Sequence, residues 1–509
     1  MRELELRMKR AQEKFLQAER EMKDLVNEYG KLISHANAVH DPIFRRLPSE
    51  VISIIFQSFA PPIPFERVRS CDSDTDVWAE IKKRLVLGAV CKSWRHAALS
   101  THRLWSYILV RLDSPHPGRS VEIIQDWLGR SGNVPLSIHI YCQQSRPTLY
   151  SPYEMVSLLK QASARWQSLN LRVPLHFVPI FVGKGRGTTV FPILRSLRLE
   201  PAHSHSWDVV FDRHVVMPKL ADVFLSYVHC KHMKIHWALV TWVQLEALHI
   251  NECLELFKDS PQLKYCMLVD LYEDATSDEI TAATTSRTIV HHQIVDLHIE
   301  WPESGSLKKF LGQVSFPALK RLRVMGGEDG LAGRPLASFF KRSRCRLEKL
   351  IAFDSISDND DLVAALAEVP SLVNLEVSAD FRLKGNLSPE PFFKRLSQTS
   401  AESDVHEPIF LPNLQSLEFQ PLQAFSWDLL PPIFGLSYAC QTMVDRPFKR
   451  PLRSFHLAPP ANVDQDSLPA MDEKTKLALL AVRDAGVHLH ISPLRTFMDS
   501  PFDQDNLES

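Results

Sequence analysis

A three-point apolar signature, LxxLxL, recurs through most of this chain, and a sequence that repeats one short strand so often can close its apolar side only by stacking the copies. The copies read Leu194-Leu197-Leu199, Leu220-Val223-Leu225, Leu245-Leu248-Ile250, Leu263-Cys266-Leu268 and Ile294-Leu297-Ile299, then Leu319-Leu322-Val324, Leu347-Leu350-Ala352, Leu372-Leu375-Val377, Leu414-Leu417-Phe419 and Leu452-Phe455-Leu457. A proline precedes many of them, as in Phe191-Pro192, Met217-Pro218, Phe316-Pro317 and Leu411-Pro412. Several steps between first positions are 25 to 28 residues, while irregular ones of 18, 31, 42 and 38 imply a degenerate repeat with loops inserted. Helical stretches separate short strands upstream as well: Val121–Leu128 before Leu136–Ile140, and Tyr153–Arg165 before Ser168–Leu171. The pattern predicts parallel strands, each returned by a helix or irregular segment. The plainer reading is an unrelated α/β domain whose strands happen to carry LxL.

Period and motif together resemble the leucine-rich repeat, which implies a curved solenoid with a parallel sheet over residues 119–495, closed by a helix at Glu473–Ala485 and a strand at Val487–Ile491. In such a repeat the third and fifth positions stand out on the concave face. They begin with Ser196 and Arg198, Asp222 and Phe224, Ala247 and His249, and Tyr265 and Met267. They continue with Asp296 and His298, Arg321 and Arg323, Lys349 and Ile351, Asn374 and Glu376, and Ser416 and Glu418. Phe224, Tyr265 and Met267 offer contact area for a protein partner; Arg321, Arg323 and Lys349 form a basic cluster able to grip a carboxylate or phosphate. The alternative is a solvated face whose arginines pair with acidic neighbours.

A second motif block precedes the repeats. Leu47-Pro48-Ser49-Glu50 opens an apolar helix through Val51, Ile52, Ile55 and Phe56; Val90-Cys91-Lys92-Ser93-Trp94-Arg95 and Leu104-Trp105 follow. LPxE, VCxxWR and a closing LW resemble the F-box, the three-helix module that docks on the Skp adaptor of cullin-based ubiquitin ligases. The resemblance implies an F-box-like module over 42–110, with residues 60–84 as an inserted loop longer than the family's usual link. It further implies adaptor contacts from Leu47, Pro48, Val51, Ile52, Ile55, Phe56, Val90, Trp94, Leu104 and Trp105, shared with the module's own core. Ahead of it, Leu4, Met8, Ala11, Phe15, Ala18, Met22, Leu25, Tyr29 and Leu32 alternate spacings of 4 and 3, a heptad seam within residues 1–40. Homodimerisation through residues 4–32 is one use of that seam; packing on the rest of the chain is the other.

Composition excludes several classes. The net charge of -1 gives no global pull toward nucleic acid or anionic membrane, and no apolar run is long enough to span a bilayer. Eight cysteines without a CxxC pair, and no apolar leader, predict reduced thiols in the cytoplasm, the nucleus or both. Candidate chemistry is thin. Gly183-Lys184-Gly185-Arg186-Gly187 leads into a strand where a phosphate loop needs a helix. His229, Cys230, His232 and His236 lack a second matching zinc cluster, Gly435–Ala439 only approximates a nucleophile elbow, and Cys91 reads as a packed helix residue. No catalytic residue, metal or cofactor is expected.

The whole resembles a fungal F-box-like protein of α/β class: an N-terminal helix, a helical docking module, a repeat solenoid and an acidic tail over 496–509. That resemblance implies the substrate-recognition subunit of an SCF-type ligase, joining the Skp adaptor, and through it cullin, to an unidentified protein substrate. The rivals are a coiled-coil and repeat scaffold without ligase function, and an enzyme carrying its active residues in an insertion.

Overall fold

The apolar columns read from the sequence become the buried side of parallel strands. The computed structural model describes residues 2–40, 44, 46–61, 74–112, 117–142, 153–174, 177–182, 189–200, 215–228, 235–273, 288–326, 333–353, 359–378, 390–398, 409–421, 425–434, 450–458 and 471–491. The chain forms two units, Met1–Ser204 with His214–Lys219, and His205–Arg213 with Leu220–Ser509.

In the first unit, α1 (Arg2–His40) is a single long helix. Three shorter helices follow: α2 (Ser49–Phe59), α3 (Asp74–Leu87) and α4 (Lys92–Ser100). The sequence reading of 60–84 as a loop is corrected from Asp74 onward, which is helical, while residues 62–73 lie outside the described residues. Parallel strands then begin with β1 (Tyr107–Arg111), inside the span assigned to the helical module and ahead of residue 119. Next come α5 (Pro117–Arg130), β2 (Leu136–Tyr141), α6 (Tyr153–Gln161), β3 (Trp166–Arg172), α7 (Val178–Val182), β4 (Thr189–Val190), β5 (Ser196–Leu199) and β6 (Val215–Val216). Strands β1, β2, β3 and β5 pair in that order, so Ile108, Ile138, Leu169 and Leu197 share one row, and Val110, Ile140, Leu171 and Leu199 the next. Trp105-Ile108-Val110 is thus a first copy of the repeat that its aromatic opening residue conceals.

The second unit contains β7 (Asp222–Ser226), β8 (Trp242–His249), α8 (Ile250–Asp259), β9 (Tyr265–Tyr272), β10 (Ile289–Val290), β11 (Asp296–Glu300) and α9 (Ser306–Gln313). It continues with β12 (Val314–Ser315), β13 (Arg321–Met325), α10 (Gly333–Ser343), β14 (Lys349–Phe353), α11 (Asn359–Ala367), β15 (Asn374–Ser378) and α12 (Glu390–Gln398). Last are β16 (Ser416–Gln420), α13 (Leu430–Ile433), β17 (Ser454–Leu457), α14 (Glu473–Asp484) and β18 (His488–Ile491). Short β10 and β12 pair with each other; the rest form a ten-strand parallel run from β7 to β18. One copy is misplaced by the sequence reading. Leu225 lies beside Leu245, and Leu245 beside Leu268, so the true motif there is Val240-Val243-Leu245 and not Leu245-Leu248-Ile250.

The returning segments cover the leucine side. Amphipathic α10 buries Leu336, Phe339 and Phe340, and α12 buries Phe392, Phe393 and Leu396. Phe316 meets Phe257 and Phe339 edge to face at 5.4 and 5.9 Å, and Phe392 stacks on Phe419 at 5.6 Å. Such pairs add about 0.5–1.5 kcal/mol beyond area burial. Connections that would leave buried carbonyls bare are tied by arginines: Arg450, whose own charge is disfavoured by burial, donates to the carbonyls of Leu396, Phe410 and Leu411. Arg342 does the same for Leu311 and Val314.

Candidate functional site

Helix α2 is positioned to show one apolar face while hiding another. Ile52 donates its N–H to the Pro48 carbonyl, and Pro48 itself has extended backbone, so LP sets the helix start. Glu50 lies in the first turn, where a negative charge suits the helix dipole. Ile52 and Phe56 point inward, at 1% and 0% exposure, into a cluster with Ile81, Leu87, Ala97, Ala98, Leu104, Trp105, Tyr107 and Trp127. Leu47, Phe44 and Trp94 pack on its edge, with the Trp94 ring 5.0 Å from Phe56 and 6.4 Å from Phe44. Trp105 donates to the Ala98 carbonyl at 2.8 Å and meets Trp127 edge to face. Thr101 Oγ1 donates to Ser53 Oγ, locking α2 to the end of α4.

The opposite face is open. Val51, Ile55 and Phe59 recur at four-residue spacing on one stripe, with Ile54 beside it, and all four are exposed, Ile54 at 62%. Leu85 and Val86 on α3 and Leu99 on α4 are exposed as well. Of the ten residues expected to meet an adaptor, Val51, Ile55 and Pro48 are exposed, while Leu47, Val90 and Trp94 are partly so. Ile52, Phe56, Leu104 and Trp105 are corrected to core residues: their side chains have no surface left to give. Ile54 and Phe59, which the sequence reading passed over, are exposed apolar residues of the same helix. Nothing but a helical wheel anchored on the true core could have found them.

A second surface lies on the side of the strands facing away from the leucine columns, in the second unit. Register puts Asp222, Trp242, Tyr265, Asp296, Arg321, Lys349, Asn374 and Ser416 in one row, and Phe224, Gln244, Met267, His298, Arg323, Ile351, Glu376 and Glu418 in the next. Trp242 and Gln244 therefore replace Ala247 and His249. The Trp242 and Tyr265 rings stack at 5.4 Å. Tyr265 Oη lies 3.2 Å from His298 Nδ1, His298 Nε2 lies 2.9 Å from Asp296 Oδ1, and Arg321 Nε donates to Asp296 Oδ2 at 2.7 Å. Burial pushes the Asp296 carboxyl up, but contacts with His298 and Arg321 outweigh it and hold it below the usual carboxylate range. Arg323 Nε donates to Met325 Sδ, and its guanidinium lies 5.5 Å over the Phe353 ring.

This geometry alters the expected partner face. Phe224 and Met267 are buried, at 1% and 5%, so neither offers the contact area assigned to it. Tyr265, Arg323 and Lys349 are half-buried and Arg321 is exposed. Arg321 already holds a carboxylate, so the basic cluster is part of a braced aromatic and charged network rather than a set of open guanidinium forks. A network of this kind can present Trp242, Tyr265 and one face of Arg321 in fixed positions.

Chemistry-bearing motifs add nothing here. Residues 183–187 and 435–439, and all of the histidine and cysteine group except His236, lie outside the described residues. Among the described residues no group of three or more His, Cys, Asp or Glu side chains is placed to hold a metal, and no helix is long and apolar enough to cross a membrane. Cys91, Cys142, Cys253, Cys266 and Cys345 are buried and form no disulfide. Burial pushes Cys345 up to about 11. A scan against models of protein families finds no match, and comparison with curated proteins finds none.

Proposed function

We propose that the chain is the substrate-recognition subunit of an SCF-type cullin–RING ubiquitin ligase, docking a Skp-type adaptor through α2 and a protein substrate through the face built on Trp242, Tyr265 and Arg321. The reading is carried by the exposed stripe Val51-Ile55-Phe59 with Ile54, on a helix introduced by LPxE whose other face is fully used by its own core. Each large apolar side chain removed from water contributes about 1.5–3 kcal/mol, so a few such residues support useful affinity after association costs are met. The repeat strands then serve recognition, and ubiquitin transfer belongs to the bound machinery, for which this chain supplies proximity.

The test is co-purification of the full chain with a Skp-type adaptor. Wild type recovers the adaptor, and Val51→Asp with Ile55→Asp loses it by at least about a hundredfold in affinity, because two charges would be buried unpaired. Unfolding measured beside it stays unchanged, since both residues are on the surface. An adaptor that ignores wild type leaves the scaffold reading in possession. Trp242→Ala with Tyr265→Ala is expected to keep the adaptor while removing other co-purifying proteins, read by mass spectrometry of the captured set.

A further inference from the structure

Among the described residues, nothing covers the apolar seam of helix α1 from Arg7 to Ile33. Every described side chain from Arg7 to Ile33 is exposed, Phe15 by 69% and Met8, Met22, Leu25, Tyr29 and Leu32 comparably. Among the described residues, a tie to the rest of the chain is made near its C-terminal end, where Asn37 Nδ2 donates to the Val90 carbonyl at 3.0 Å. A helix of 39 residues, about 58 Å long, with such a stripe in water calls for a cover. We infer that the cover is α1 of a second copy of this chain, lying antiparallel.

Direction and register follow from side-chain size and charge. In heptad terms Met8, Phe15, Met22 and Tyr29 are at a; Leu4, Ala11, Ala18, Leu25 and Leu32 are at d. A parallel pair would set like on like, crowding Phe15 against Phe15 and Tyr29 against Tyr29 while Ala11 and Ala18 meet only alanine. Layers alternately overfilled and empty pack poorly. An antiparallel pair sets a against d. With Phe15 opposite the second copy's Ala18, the remaining layers are Met22 with Ala11, Met8 with Leu25 and Tyr29 with Leu4, so no layer pairs two aromatic rings or two alanines.

The flanking charges select the same arrangement. The g positions run Arg7, Lys14, Glu21, Glu28, basic in the first half and acidic in the second. Antiparallel helices bring g to g, and in this register Arg7 faces Glu28 and Lys14 faces Glu21, each pair made twice by the two-fold axis. Sliding one heptad either way puts Lys14 on Lys14 or Glu21 on Glu21. Parallel helices bring g to e, and there only Lys14 finds an opposite charge, at Glu19; Glu21 and Glu28 face Val26 and Ile33. Gln12 and Glu19 meet across the other flank without like-charge contact. The axis crosses each helix between residues 16 and 17, so the two copies of residue 40 stand about 70 Å apart. Each docking module then hangs at its own end of a rod. This dimer does not depend on the adaptor reading.

Sedimentation velocity of the full chain at micromolar concentration, with two charge-reversed variants, tests the inference. Wild type sediments as a dimer. Arg7→Glu with Lys14→Glu makes the g row wholly acidic, and Glu21→Lys with Glu28→Lys makes it wholly basic. Each variant alone weakens association by roughly a hundredfold, and their mixture restores a dimer containing one of each. All substituted residues are exposed and good helix formers, and an unchanged unfolding transition shows that the fold is kept. A monomeric wild type would overturn the proposal. So would a basic variant that still dimerises alone, because a parallel pair keeps its Lys14–Glu19 contact, or a mixture that stays monomeric. Adaptor capture in the same preparations is expected to be unaffected, so failure of the dimer and failure of the ligase reading give separate signals.

Discussion

Gly326 illustrates how little freedom the strand ends leave. Tyr227, Ala247, Asp270, Trp301 and Gly326 occupy equivalent places one residue past the paired row of Ser226, Glu246, Val269, Glu300 and Met325, and all have φ between 51° and 69°. The Tyr227, Trp301 and Gly326 N–H groups each add one more ladder bond, to Glu246, Met325 and Phe353, before the chain turns away. Left-handed backbone costs a residue with Cβ about 1–2 kcal/mol, which the stacked neighbours must offset. At Gly326 there is a second constraint: an added Cβ would lie 2.4 Å from the Trp301 ring. Gly326→Ala is expected to destabilise the second unit by about 2–3 kcal/mol in urea unfolding. Adding Trp301→Ala should recover the steric part and leave the backbone cost. If the single variant unfolds like wild type, the ring does not sit over the glycine.

Helix α2 shows what a sequence can and cannot say about an element. LP and the apolar spacing place its start and its helical nature, but Val51, Ile52, Ile54, Ile55, Phe56 and Phe59 encircle so much of it that the pattern does not tell core from surface. The packed face was decided by Ile81, Ala98, Leu104 and Trp105, which arrive from distant sequence. The same limit misplaced one repeat copy, because Val240 and Val243 fill the leucine column as well as Leu245 and Leu248 would. It also hid β1, because Trp105, just ahead of that strand, opens the repeat copy and packs in the helical module's cluster as well. The regular copies were legible because one face of each strand is wholly buried, so a slip of one residue would invert it. For the site, row membership of Tyr265, Arg321 and Arg323 followed from the motif, while the Asp296–His298–Tyr265 network needed neighbouring strands in register. Phe56→Ala is accordingly expected to cost about 3–5 kcal/mol and to strip hydrogen-exchange protection from α2 and α4. Loss of exchange protection in the Val51→Asp, Ile55→Asp pair to a similar extent would mean the faces have been assigned the wrong way round.

Across the whole molecule, a stacked repeat is stabilised mainly between neighbours, so each unit carries its own response to pH. In the first unit His139 is buried in the row of Leu109, Asn170 and Arg198, and burial, helped by the Arg198 charge, pulls it down to about 3. In the second, burial pulls His291 down against the opposing effect of its contact with the Ser260 carbonyl, 2.8 Å away. For both, the unfolded chain binds the proton more readily than the folded one. Stability is therefore full above the ordinary histidine value near pH 6.5 and falls as pH drops toward the folded value. For His139 the loss at pH 5 relative to pH 7.5 is about 2 kcal/mol. Asp296, held low, contributes only further down, where falling pH through its folded value removes its pairing with His298 and Arg321. Hydrogen exchange followed by peptide at pH 7.5 and pH 5 separates the units. His139→Gln is expected to flatten the response of β1, β2, β3 and β5 while leaving that of the strands around His291 unchanged. A variant in which both units still weaken as wild type would show that His139 is not the neutral buried group its position requires.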